Sequence, residues 1–141
     1  MRFVTNIVSL AVVVLLTGCY LKHIDLVEDL GVTLDVQREG NVSISSVSAY
    51  QEGEHLLVSG SIGQKKATSP FSGWVQVTVV LNNGTVLEES CYRVWPKAAP
   101  GPRWQVRSNG PSSFFDITLS KVPPPGSVIR VTGSAQASVC T

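Results

Sequence analysis

Val75-Gln76-Val77-Thr78-Val79-Val80-Leu81 alternates apolar and polar side chains, and Asn82-Asn83-Gly84 follows at once. A period of two sets Val75, Val77, Val79 and Leu81 on one face of a strand, with Gln76 and Thr78 on the other. Asn and Gly tolerate the positive φ angles of a primed turn. The chain is therefore expected to reverse at residues 82–84 and return as a partner strand over Val86 to Val94.

The same period runs outward from this hairpin. Val42 and Ile44, then Val47 and Ala49, predict a strand with a slip or bulge near Ser45-Ser46. Leu56, Val58, Gly60 and Ile62 predict the next. Phe115, Ile117 and Leu119 mark another, with Phe114 on its opposite face, and Val128 to Val139 reads as a long last strand. Pro123-Pro124-Pro125-Gly126 is a rigid turn between those two. In residues 20–31, Leu21, Ile24, Val27 and Leu30 recur every three residues, but neither Cys19 nor Tyr20 caps a helix and Asp25 falls inside the run. That segment reads mostly as linker, with one weak helical turn as the alternative. Short strands separated by turns predict an all-β, antiparallel β-sandwich of two sheets over residues 41–141.

Composition fits this picture. The chain has 141 residues, 43% hydrophobic and 15% charged, with 12 Gly and 8 Pro and a formal charge of +1. The length suits one ordinary domain. A mean hydropathy of +0.20 argues against wholesale disorder. Near-neutral charge lacks the basic footprint of a nucleic-acid binder.

Ahead of the sandwich, Arg2 precedes an apolar run from Ile7 to Leu16 broken only by Ser9. The run is short of the roughly 20 residues a membrane span needs and fits an export signal. Leu16-Thr17-Gly18-Cys19 resembles the lipobox of bacterial lipoproteins. The resemblance implies that residues 1–18 are a signal peptide, that Cys19 is alkylated by diacylglycerol and then acylated at its new amino terminus, and that residues 19–40 are a lipidated tether. Several acyl chains, at roughly 0.8 kcal/mol per buried methylene, hold a protein on a bilayer. Tyr20 stands where an Asp tends to retain Gram-negative lipoproteins at the inner membrane, so the expected place is the periplasmic face of the outer membrane. The mature strand pattern is similar, in pattern only, to immunoglobulin-like and fibronectin type III-like domains of periplasmic lipoproteins. Trp74 precedes both remaining cysteines, unlike the antibody Cys–Trp–Cys spacing.

Export leaves Cys91 and Cys140, which are expected to pair in an oxidising compartment. Closing a loop of about fifty residues stabilises by roughly 4 kcal/mol in the chain-entropy model. Two buried free thiols are the alternative. No metal is expected, since only His23 and His55 would help and neither has ligand spacing. No cofactor, small-molecule substrate or catalytic residue is expected either. His55 follows Glu52 and Glu54, but nothing in the spacing makes a triad converge. Gly60-Ser61-Ile62-Gly63 lies in a strand and lacks the nucleophile-elbow pattern. Glu88 and Glu89 are adjacent on a strand and face opposite ways, a poor acid/base pair.

One irregular stretch, Trp95 to Arg107, combines aromatic, proline and cationic residues. Trp95, Lys97, Arg103, Trp104 and Arg107 are the candidate contacts of a recognition loop for a protein partner or a cell-wall glycan, because Trp and Arg are enriched in binding hot spots. The alternative is that one or both tryptophans fold back to cap the sandwich. Charge is also uneven. Residues 22–54 hold seven acids against Lys22 and Arg38, and residues 93–130 hold six bases against Asp116, about −5 and +5. This either steers a partner or cancels as the strands interleave. The expectation is a non-catalytic envelope lipoprotein that anchors or stabilises a membrane-associated assembly through protein–protein contacts. The alternative is an inhibitor or exclusion lipoprotein that binds an incoming enzyme or transfer component.

Overall fold

A computed structural model describes residues 24–65, 71–95 and 113–140. Eight strands form two sheets of four: β1 (Ile24–Asp25), β2 (Thr33–Arg38), β3 (Val42–Glu52), β4 (His55–Gln64), β5 (Gly73–Val80), β6 (Val86–Val94), β7 (Ser113–Leu119) and β8 (Val128–Ser134). One sheet has the order β1-β3-β4-β7 and the other β2-β8-β5-β6. The protein is an all-β sandwich. Its connectivity pairs the neighbours β3–β4 and β5–β6 as hairpins, whereas the immunoglobulin order sets the second strand beside the fifth.

The alternation read from the sequence is the alternation of burial. On β5, Gly73, Val75, Val77 and Val79 are buried and their neighbours half-exposed. On β7, Phe115, Ile117 and Leu119 face inward and Phe114 outward. These side chains meet Ile44, Leu56, Val58, Ile62, Ile129 and Val131 between the sheets. The slip on β3 is a bulge between Ser45 and Ser48, with Ser46 at a φ of 54°. The proline turn is where it was expected: Ser127 donates from N–H and Oγ to the Pro124 carbonyl, at 3.3 and 2.7 Å.

Four expectations are corrected. Residues 24–38 are not a linker. Asp25 accepts from the Val27 and Glu28 amides (2.9 and 3.2 Å) and caps a short helix, α1 (Leu26–Leu30), whose Leu26 is wholly buried. The helix carries the chain from the edge of one sheet to the edge of the other. There β2 runs parallel to β8, from Thr33 opposite Val128 to Arg38 opposite Gly133, so the sandwich is mixed rather than purely antiparallel. The 82–84 turn is not primed. Gly84 alone has a positive φ, 85°, and its amide donates to the Leu81 carbonyl at 2.9 Å. This is a three-residue loop ending in a left-handed glycine. The last strand stops at Ser134. A 3-10 turn over Ala137–Cys140 then packs on β5 and β8.

That turn brings Cys140 to β6, where it forms a disulfide with Cys91, the Cα atoms 5.7 Å apart and the cysteines 49 residues apart.

Candidate functional site

Two pairings fix an aromatic–cation cluster at one end of the β5–β6 hairpin. Trp74 lies opposite Arg93 in the ladder, and Gly73 opposite Val94. Val75 and Val94 are buried, so Trp74 and Arg93 stand on the outer face. Arg93 and Trp95 are two residues apart and share that face. The Arg93 guanidinium carbon sits 3.8 Å from the Trp95 ring centroid and 5.7 Å from that of Trp74. Stacking on an indole leaves the guanidinium N–H edges turned outward. Arg93 has no ion-pair partner among the described residues. The disulfide anchors the strand two residues before it.

Of the candidate contacts read from sequence, Trp95 is 57% exposed and does not cap the sandwich. Lys97, Arg103, Trp104 and Arg107 lie outside the described residues, as does the lipidation candidate Cys19. Trp95 and Ser113 are the described residues on either side of 96–112. Both points are at the same end, since Val94 pairs with Gly73 and Ser113 with Ile62. Trp74, at the start of the cleanest strand, reads from the sequence as core or rim and is half-exposed; Arg93 stands two residues before Trp95, and only the ladder register brings Trp74 beside it.

The residues weighed for chemistry are engaged structurally. Ser61 shares a 2.8 Å hydrogen bond with Ser45 across the β3–β4 ladder, and Ser48 and Tyr50 each meet Ser59 at 3.0 Å. Glu88 and Glu89 do face opposite ways, opposite Val79 and Thr78. Glu88 reaches across to the other sheet and accepts from Ser120 and Lys121. His55 pairs with Glu52 at the exposed tip of the β3–β4 hairpin. Among the described residues, no three His, Cys, Asp or Glu side chains are grouped to hold a metal, and no helix is long and apolar enough to cross a membrane.

The charge halves interleave at one place, where Asp35 of β2 and Arg130 of β8 are ladder partners joined at 3.0 Å. Elsewhere they separate. Asp25, Glu28, Asp29, Glu52 and Glu54 gather, against Lys121, at the end holding α1 and the β3–β4 tip, while Arg38, Lys65 and Arg93 stand, against Glu39, at the opposite end. No protein-family model matches the chain, and no curated protein or solved structure matches it either.

Proposed function

We propose that this is a non-catalytic lipoprotein, held by Cys19 at the periplasmic face of the outer membrane, that stabilises an envelope assembly through protein–protein contacts. Leu16-Thr17-Gly18-Cys19 supports the anchor, and the Cys91–Cys140 disulfide is in keeping with an oxidising compartment. The observation that carries the contact surface is Arg93 held between Trp95 and Trp74, exposed and without an ionic partner among the described residues. A preorganised Arg–Trp pair loses little rotamer entropy on docking and belongs to the residue types that dominate interfaces.

Affinity capture of the tagged lipoprotein from its own envelope tests both halves. Cys19→Ala is expected to accumulate as uncleaved precursor without acyl chains. Arg93→Ala with Trp95→Ala is expected to weaken retention of a co-purifying envelope complex by tenfold or more, about 1.4 kcal/mol, with Tm unchanged. Cleavage and lipid-like membrane retention of Cys19→Ala overturns the anchor. Retention that falls only as the fold is lost overturns the contact surface, and recovery of a single foreign enzyme makes the protein an inhibitor instead.

A further inference from the structure

Among the described residues, the flank of the sandwich formed by β6 and β7 is open: each is the last strand of its sheet and is paired on one side only. Each strand carries exposed apolar side chains: Val86 (53%) and Tyr92 (45%) on β6, with Trp95 directly after it, and Phe114 (69%) on β7. Natural edge strands are usually short, interrupted by proline or guarded by charge, because their free N–H and C=O groups will template another strand. β6 is nine residues long, Val-Leu-Glu-Glu-Ser-Cys-Tyr-Arg-Val, carries no proline, and has its one bulge at Leu87, so that Glu88 to Val94 run in unbroken register. Its one inward carboxylate, Glu88, is taken up by Ser120 and Lys121. What remains along the outer face is Glu89, Cys91 in its disulfide, and Arg93 stacked on Trp95.

We infer that the free edge of β6 receives an extended segment of a protein partner as a fifth strand of that sheet, with a carboxylate of the segment on Arg93. The inference rests on the reading that the protein works by protein–protein contact, and it supplies that partner's chemistry. Main-chain hydrogen bonds give such a complex its affinity and alternate side chains its specificity. Arg93 offers a bidentate fork to a carboxylate. Glu89 stands four residues away on the same face, roughly 13 Å along the strand. The incoming segment therefore carries an acid at the Arg93 level, a small residue beside the disulfide, and a base at the Glu89 level. An apolar residue next to the acid on the other face meets Tyr92.

A second copy would also satisfy the charges. Two β6 strands paired antiparallel about Cys91 set Arg93 of each against Glu89 of the other, but they invert one copy end for end. On the anchored reading, residues 20–23 reach at most about 17 Å from Cys19 to Ile24. Strand β6 itself spans about 30 Å. With the strands upright on the bilayer, two copies lipidated into one membrane cannot adopt that arrangement, whereas a distinct partner can, and a self-pair lying along the bilayer would make the free chain dimeric.

The full lipidated chain in detergent tests this with two seven-residue peptides, Thr-Glu-Val-Thr-Val-Lys-Thr and its charge-swapped counterpart Thr-Lys-Val-Thr-Val-Glu-Thr, which cover the two strand directions. One of them is expected to perturb tryptophan fluorescence and to slow amide exchange along β6. Glu→Gln in that peptide, or Arg93→Gln in the protein, should weaken binding at least tenfold, and the Tm of the variant should stay at the native value. Failure of both peptides to bind overturns the inference, as does binding indifferent to Arg93→Gln. So does a free chain that is dimeric, or whose β6 amides are already protected. An envelope complex that co-purifies through Trp95 while β6 amides still exchange freely overturns strand addition alone and leaves the partner-binding reading standing.

Discussion

The Glu88 carboxylate accepts from the Ser120 amide at 3.0 Å, the Ser120 hydroxyl at 3.1 Å and the Lys121 amide at 3.1 Å. It thereby ties the start of β6 to the chain leaving β7, one sheet to the other, and satisfies two amides beyond the end of a strand. Removing one partner of charged hydrogen bonds strands the others, so Glu88→Ala should cost about 1–2 kcal/mol. Glu89→Ala, whose only described contact is Thr78 Oγ1 at 3.4 Å, should stay within about 0.5 kcal/mol. Urea unfolding midpoints of the two variants check the contrast. Alternation foretold that the two glutamates diverge. It did not say which would bind, because the amides Glu88 meets lie 32 and 33 residues away. Gly133 is a second such residue. A Cβ there would stand 2.7 Å from Ile44 Cδ1 and 2.8 Å from Ile62 Cδ1, where the two sheets approach. Gly133→Ala should destabilise by about 1–3 kcal/mol through overpacking, read by the same measurement.

The β5–β6 hairpin shows what a local pattern can and cannot give. Its strands and turn were legible from alternation and from Asn82-Asn83-Gly84. The register was not. Extending the Val80–Val86 pairing without interruption would set Trp74 opposite Tyr92, but a bulge between Val79 and Val80 moves it to Arg93. One residue of slip exchanges the faces. The Trp–Arg–Trp cluster thus exists because of an irregularity with no signature in the sequence. For the same reason the sequence of β2 reads as tether: its partner β8 lies 95 residues downstream, and its own pattern, half-exposed on an edge, is weak. The helical turn in 20–31 reads as weak because the three-residue recurrence begins at Leu21 and places Asp25 inside the run, whereas Asp25 is its cap. The disulfide, by contrast, followed from counting. Cys91→Ala with Cys140→Ala should cost about 4 kcal/mol for a loop of this length. Equal loss in the reduced wild-type protein, measured by thermal unfolding, identifies the cross-link rather than the side chains as the source.

At the scale of the whole molecule, the axial charge separation and the point of chain entry coincide. Ile24 pairs with Gln51, so the chain enters the sandwich beside Glu52 and Glu54, and α1 adds Glu28 and Asp29 there. Arg38, Lys65 and the Arg93–Trp95 cluster outnumber Glu39 at the other end of β3, a strand of 11 residues and so about 36 Å long. If Cys19 carries lipid, the acidic end is held within about 17 Å of the bilayer by chain length alone. An anionic headgroup surface repels it over a Debye length of about 8 Å at physiological salt. Tether and repulsion together leave one stable pose, with the acidic end nearest the membrane yet off its surface and the cationic, aromatic end directed away from it. A partner is then met on the side facing away from the protein's own membrane. Fluorophores placed through Glu54→Cys and Asn41→Cys, one at each end, report this pose in vesicles containing a lipid-phase quencher. Quenching should be clearly greater at position 54 than at position 41, and the difference should narrow when a flexible segment of about a dozen residues is inserted between Cys19 and Ile24. Equal quenching in the native tether would mean that the domain tumbles, and stronger quenching at position 41 would mean that the cationic end lies on the membrane, in which case the surface around Arg93 serves lipid rather than protein.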